Sequence, residues 1–195
     1  MTSSIPIYRR QGGFTMIEMI GVLAVIAILA SIIAPKIFDA IRDSKINAVA
    51  SNIQAVQTAV ANYYKDTGQL PSSASDLVSA PSGVSNWKGP YLDKGLDKLF
   101  SAVSSGTAVL VKEAPTSAHG YALGTSGTNS YANKTWIISV GIPSVDPADG
   151  KAISDVVDGD ASGNWYADGR IVQDTYTATA APTVATDLYA FIAAF

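Results

Sequence analysis

The sequence predicts an α+β protein in which a long N-terminal α-helix carries an antiparallel β-sheet head. Three observations predict it. Residues 14–34 form an almost uninterrupted apolar run. Residues 46–64 repeat apolar side chains at spacings of three and four, the signature of one helix face. Beyond Gly68, short β-branched and aromatic runs alternate with Gly, Ser, Asn and Pro, as strands and turns do.

The apolar run is preceded by Arg9 and Arg10 and broken by one charge, Glu18. Its length, roughly 20 residues, is what a helix needs to cross the hydrocarbon core of a bilayer. A secretory signal would place small residues after its apolar core. Here Gly12 and Gly13 come before it, so a cut after Gly13 removes the charged leader and keeps the helix. The mature chain would begin with a free amine on Phe14. The plain alternative is a membrane anchor, and Glu18 argues against it. A carboxylate within a membrane segment costs about 2.5–3.5 kcal/mol on insertion scales and marks a functional site. Glu18 needs a partner. The Phe14 amine of a neighbouring chain supplies one if the two helices are shifted along their axes, and Glu18 would then set subunit stagger.

GGFTMIEMIGVLAVIAILASIIAPKI resembles the N-terminus of the type IV prepilin and pseudopilin family, through Gly13, Phe14, Thr15, Glu18 and Pro35. The resemblance covers the first third of the chain. It implies the type IV pilin fold, cleavage between Gly13 and Phe14 by a prepilin peptidase, N-methylation of Phe14, and assembly involving Thr15 and Glu18. The implied partners are further copies in a homo-oligomeric filament, the peptidase, a pilus or secretion assembly platform, and the membrane. The run YYKDTGQLPSS…GPYLDK resembles the region after the long helix in major pseudopilins of type II secretion and in related pilins.

Four segments are expected. Residues 1–13 are leader, and 14–35 a transmembrane or filament-core helix. Residues 36–67 are its amphipathic half, and 68–195 the head. The helix faces Ile46, Val49, Ile53, Val56, Val60 and Tyr63 or Tyr64 to the head. Some fifty helical residues would extend about 75–80 Å. Pro35 lacks an amide hydrogen and crowds the preceding turn, so a kink or local melting is expected near 31–35. Gly68 ends the helix. A helical turn is expected at 75–78, and Trp87 and Tyr91 are expected to pack on the helix. Strands are expected at 107–112, 121–123 and 135–140, and strands or a packed tail at 175–179 and 188–195. Residues 141–170 read as an acidic loop region.

The chain has 195 residues, 13 basic and 16 acidic side chains, and no cysteine. Loss of the two leader arginines leaves 11 basic against 16 acidic, or −5. This excludes a basic nucleic-acid footprint, and no direct nucleic-acid contact is expected. Without cysteine the head has no disulfide. Many members of the resembled family close this region with one. Calcium is the one cofactor the sequence offers. Asp158, Asp160, Ser162 and Asn164 place oxygen side chains at alternate positions, with Asp155 and Asp168 nearby, as an oxygen-ligated loop would. Gly169 stands where a complete EF-hand loop has its bidentate Glu. The competing reading is a solvated Asx turn. Relatives that lack disulfides can hold calcium in their heads. His119 is the single histidine and reads as a loop residue. No nucleophile elbow, phosphate loop or dinucleotide fingerprint is present, so an enzyme is not expected.

The leading expectation is a structural subunit of a type IV pilus, made in the cytoplasmic membrane with its leader inside and displayed outside the cell. The alternatives are a periplasmic type II secretion pseudopilin and a minor or tip pilin with a binding head.

Overall fold

The computed structural model describes residues 12–114, 121, 134–159, 169–173 and 184–195. It forms two compact units, Met1–Arg42 and Asp43–Phe195. The division falls inside the long helix.

Helix α1 spans Met16–Thr67, 52 residues without interruption. Every described residue from 12 to 45 is exposed. From Ile46 the pattern changes: Ile46, Val49, Ile53, Val56, Val60 and Tyr63 are buried, joined by Ala50 and Ala59. This is the stripe expected from the spacing, with Tyr63 rather than Tyr64 pointing inward. The expected local melting at 31–35 does not occur. Pro35 costs one amide donor in a 52-residue ladder, and the intact turns on either side carry the helix through, because helix propagation is cooperative. The helix stops at Gly68, whose positive φ of 71° an L side chain would resist.

A 3-10 turn at Ala74–Leu77 and a short helix α2, Leu96–Leu99, follow. Between them the 87–92 segment is tied down by both backbone and side chains. The amides of Tyr91 and Leu92 donate to the Leu77 carbonyl at 2.8 and 3.0 Å. Trp87 Nε1 donates to the Asp76 carbonyl at 3.0 Å. Tyr91 packs edge-on against Tyr63 and against Trp87, with ring centroids 5.7 Å apart in each case. Its hydroxyl donates to Asp66 on α1 at 3.1 Å and accepts from the Lys88 amide at 3.1 Å. Gly89 sits so close that an added Cβ would lie 2.4 Å from the Trp87 ring.

The sheet contains β1 (Val109–Glu113), β2 (Ile137–Val145), β3 (Ile171–Gln173) and β4 (Thr186–Ala194). Its order is β1-β2-β4-β3, antiparallel throughout. Alternation splits β2 between two clusters. Ile138, Val140 and Ile142 join the main core with the buried face of α1, Leu77, Leu96, Phe100, Ile153, Ile171 and Leu188. Ile137 lies on the opposite face with Val172 and Tyr121. Near its end β2 bulges, with the register shifting between Ile142 and Val145. Ser144 adopts φ 54° there, and its amide is held by Asp187 Oδ1 at 3.0 Å.

Three expectations of the head change. The 141–170 region is not all loop: Pro147–Asp158 forms helix α3. Asp146 caps it by accepting from the Ala148 amide at 2.9 Å, Pro147 occupies its first turn, and Gly159 ends it at φ 68°. Asp149, Asp155 and Asp158 lie on this helix, while Ile153 enters the core. The strand expected at 135–140 also runs on to Val145. Of the strand expected at 121–123 only Tyr121 is described, and it is not in a strand. The one expected at 175–179 lies outside the described residues.

Candidate functional site

The N-terminal site is built from Gly12 to Glu18. Residues 12–15 are non-helical, and α1 begins at Met16. The Gly13–Phe14 bond therefore lies in open backbone just ahead of the helix. A Cβ added at Gly12 or Gly13 would meet nothing within 4 Å, and Phe14 is 82% exposed. An exposed, uncrowded peptide is what a protease needs to reach.

Thr15 is the cap of α1 and Glu18 is its third helical residue. Their side chains and amides satisfy one another. Thr15 donates to Glu18 Oε2 from its amide at 2.7 Å and from its hydroxyl at 2.6 Å. The Glu18 amide donates back to Thr15 Oγ1 at 3.3 Å. This is a reciprocal capping box, which satisfies amide donors that a helix start otherwise leaves unpaired. The carboxylate also sits at the positive end of the helix dipole. Glu18 therefore has a partner within its own chain, which the sequence reading did not foresee. The T-x-x-E spacing ahead of an apolar run was the available signal. Ser31 Oγ donates to the Ile28 carbonyl at 2.8 Å, one turn before Pro35.

The residues considered for calcium divide. Asp160, Ser162, Asn164 and Asp168 lie outside the described residues, as does His119. Asp155 and Asp158 lie on α3. Asp155 Oδ2 accepts from Lys151 Nζ at 2.7 Å, while its Oδ1 is buried and has no hydrogen-bond partner among the described residues. Asp158 closes the connection between α3 and β3, accepting from the Arg170 amide at 3.0 Å and from Ser154 Oγ at 3.3 Å. Burial raises the Asp158 pKa above its ordinary value. The Arg170 and Ile171 amides, the Ser154 hydroxyl and the Arg170 charge oppose that rise without cancelling it. Gly169, at φ 97°, leaves space for this carboxylate, since a Cβ there would lie 2.5 Å from Oδ2. Among the described residues no three His, Cys, Asp or Glu side chains gather as metal ligands would.

α1 contains a segment long and apolar enough to cross a membrane, none of it buried. Residues 8–34 match the prokaryotic N-terminal methylation motif. Residues 40–99, from the amphipathic half of α1 through α2, match the family described as PilW, C-terminal. The chain is similar to type II secretion system core protein G of Xanthomonas campestris pv. campestris, with 35% identity over 81 residues, covering 42% of this chain and 57% of that protein. It is similar to core protein G of Pseudomonas aeruginosa, with 32% identity over 93 residues, covering 44% of this chain and 66% of that protein. For core protein G of Klebsiella pneumoniae the identity is 31% over 77 residues, covering 38% and 55%. The chain thus spans less than two thirds of the length of each of these relatives. No solved structure matches.

Proposed function

We propose that this chain is a member of the prepilin and pseudopilin family and, within it, a pseudopilin of a type II secretion system, a reading supported by the two family matches and by the similarity to core protein G. In this reading it is a membrane-anchored structural subunit, processed at Gly13–Phe14 and assembled through its N-terminal helix. The family supplies structural subunits rather than enzymes. The observation that carries the finer reading is the similarity to core protein G of type II secretion systems. It favours the pseudopilin over the pilus filament, which the N-terminal motif alone had placed first. The clamp of Trp87 to Leu92 on α1 lends support, because the GPYLDK run is the part of the head that resembles major pseudopilins.

Assembly follows from the exposed apolar half of α1. In a membrane its side chains face lipid. In a filament they face other helices, an exchange of one apolar contact for another, so direction must come from polar groups. Glu18 is the charged side chain within that stretch, and a neighbour's Phe14 amine is its natural counter-charge once the leader is gone. The assembly platform and the peptidase are the further partners this reading requires.

Deleting the chain in its host tests the proposal. Proteins normally secreted to the medium should then accumulate in the periplasm while surface pili persist. Loss of surface pili with intact secretion would return the pilus reading to first place.

A further inference from the structure

We propose that the head carries a binding groove for an acidic saccharide, where the end of α1 meets β1 and the chain flanking β2 and β4. The groove holds about 440 Å³, within the range of small-ligand sites. Tyr64, Trp136 and Phe195 line it with aromatic rings, and Gln69, Ser72 and Lys112 with polar groups. All of these residues belong to the head unit. Lys112, Trp136 and Phe195 lie beyond residue 99, where the family match ends. The groove stands whether the chain serves a pilus or a secretion system.

The fold fixes each ring. Tyr63 is 1% exposed on the core side of α1, and its neighbour Tyr64 is 42% exposed. The Tyr64 ring packs on Phe195 with centroids 4.8 Å apart. Phe195 in turn pairs with Trp136 through the backbone. Its amide donates to the Trp136 carbonyl at 2.9 Å, and its carbonyl accepts from the Trp136 amide at 3.1 Å. Trp136 nevertheless stays 38% exposed. Lys112 Nζ lies 4.5 Å from the Trp136 ring centroid, within reach of cation–π attraction. Among the described residues Lys112 has no carboxylate at ion-pair distance. The ring thus positions the ammonium without occupying its N–H donors.

A sugar matches this lining. Its C–H face lies on an aromatic ring, and its hydroxyls reach Gln69 and Ser72. An apolar peptide side chain would strip water from Gln69, Ser72 and Lys112 without replacing their hydrogen bonds. Lys112 is the one charged side chain among the described residues of the lining, which suits a single carboxylate. A nucleic-acid strand brings a phosphate with every base and needs a basic track, which one lysine does not make.

Titration calorimetry on the full chain in lipid nanodiscs tests this. The probes are a tetrasaccharide of alternating glucuronate and N-acetylglucosamine, the neutral N-acetylglucosamine tetramer, and a thymidine tetranucleotide. The acidic tetrasaccharide should bind about tenfold tighter than the neutral one, the worth of one charge-assisted contact. Lys112→Gln should abolish that preference and leave the neutral tetramer's affinity unchanged. Trp136→Ala should weaken both sugars about tenfold, the scale of losing one stacked ring, and Trp136→Phe should restore most of the loss. Lys112 is exposed, so Lys112→Gln keeps the test decisive if Trp136→Ala does not fold. No binding of either tetrasaccharide, a preference that survives Lys112→Gln, or tighter binding of the tetranucleotide would overturn the proposal.

Discussion

Asp158 and Tyr91 show how single side chains hold the head together without a disulfide. Asp158 is a partly buried carboxylate at the C-terminal end of α3, where the helix dipole disfavours its charge. Its pKa is raised by burial, so the folded state binds its proton more tightly than the unfolded chain does. Its contribution is thus fully present below the unfolded carboxylate pKa and is lost as pH rises through the folded value. Asp158→Asn should remove this dependence. Chemical unfolding of the detergent-solubilised chain, measured from about pH 3.5 upward, should show the wild type losing stability relative to the variant as pH rises. The opposite slope would mean that the hydrogen bonds to Arg170 and Ser154 outweigh burial. Tyr91 is the hinge of the 87–92 clamp, with its hydroxyl shared between Asp66 and the Lys88 amide. Tyr91→Phe keeps the ring contacts and loses both bonds, and should cost about 1–3 kcal/mol in the same unfolding measurement. A change near zero would show that the rings and the Leu77 carbonyl hold the segment unaided.

Among the elements, α1 was the most legible in the sequence, because its apolar stripe repeats over five turns and ends at a glycine. Ile53 lies in the middle of that stripe, 1% exposed, and Ile53→Ala should cost about 2–5 kcal/mol in denaturant unfolding. α3 was misread, although its ends carry standard helix signals: Asp146 and Pro147 at the start and Gly159 at the stop. Its run of aspartates resembles a turn-rich loop, and only the burial of Ile153 against the sheet decides for helix. Asp146→Ala should lower stability by about 1 kcal/mol through loss of the cap, and circular dichroism should show the helical signal falling with it. β3 was missed for a different reason. Three residues are too few to show a period of two, and Ile171–Gln173 becomes a strand by pairing with Leu188–Ala190. The extension of β2 past Gly141 depends on the bulge at Pro143 and Ser144, which Asp187 fastens from 43 residues away. No local pattern reports such a contact.

For the whole molecule, the N-terminal motif and the apolar segment long enough to cross a membrane lie in residues adjacent in sequence, so no fold was needed to read them. The capping box between Thr15 and Glu18 is equally local, its two members lying three residues apart. The choice between pilus and secretion subunit was not legible in the motif, because both use the same helix. The similarity to type II secretion core protein G is the reason for preferring the second. The account as a whole depends on the Gly13–Phe14 bond being cut and the helix being kept. Intact-mass spectrometry of the protein from the cell envelope and from sheared surface material tests this directly. The account predicts a chain that begins at N-methylated Phe14 and is recovered with the envelope. A chain that still carries residues 1–13 in the envelope would contradict it and leave a simple membrane anchor.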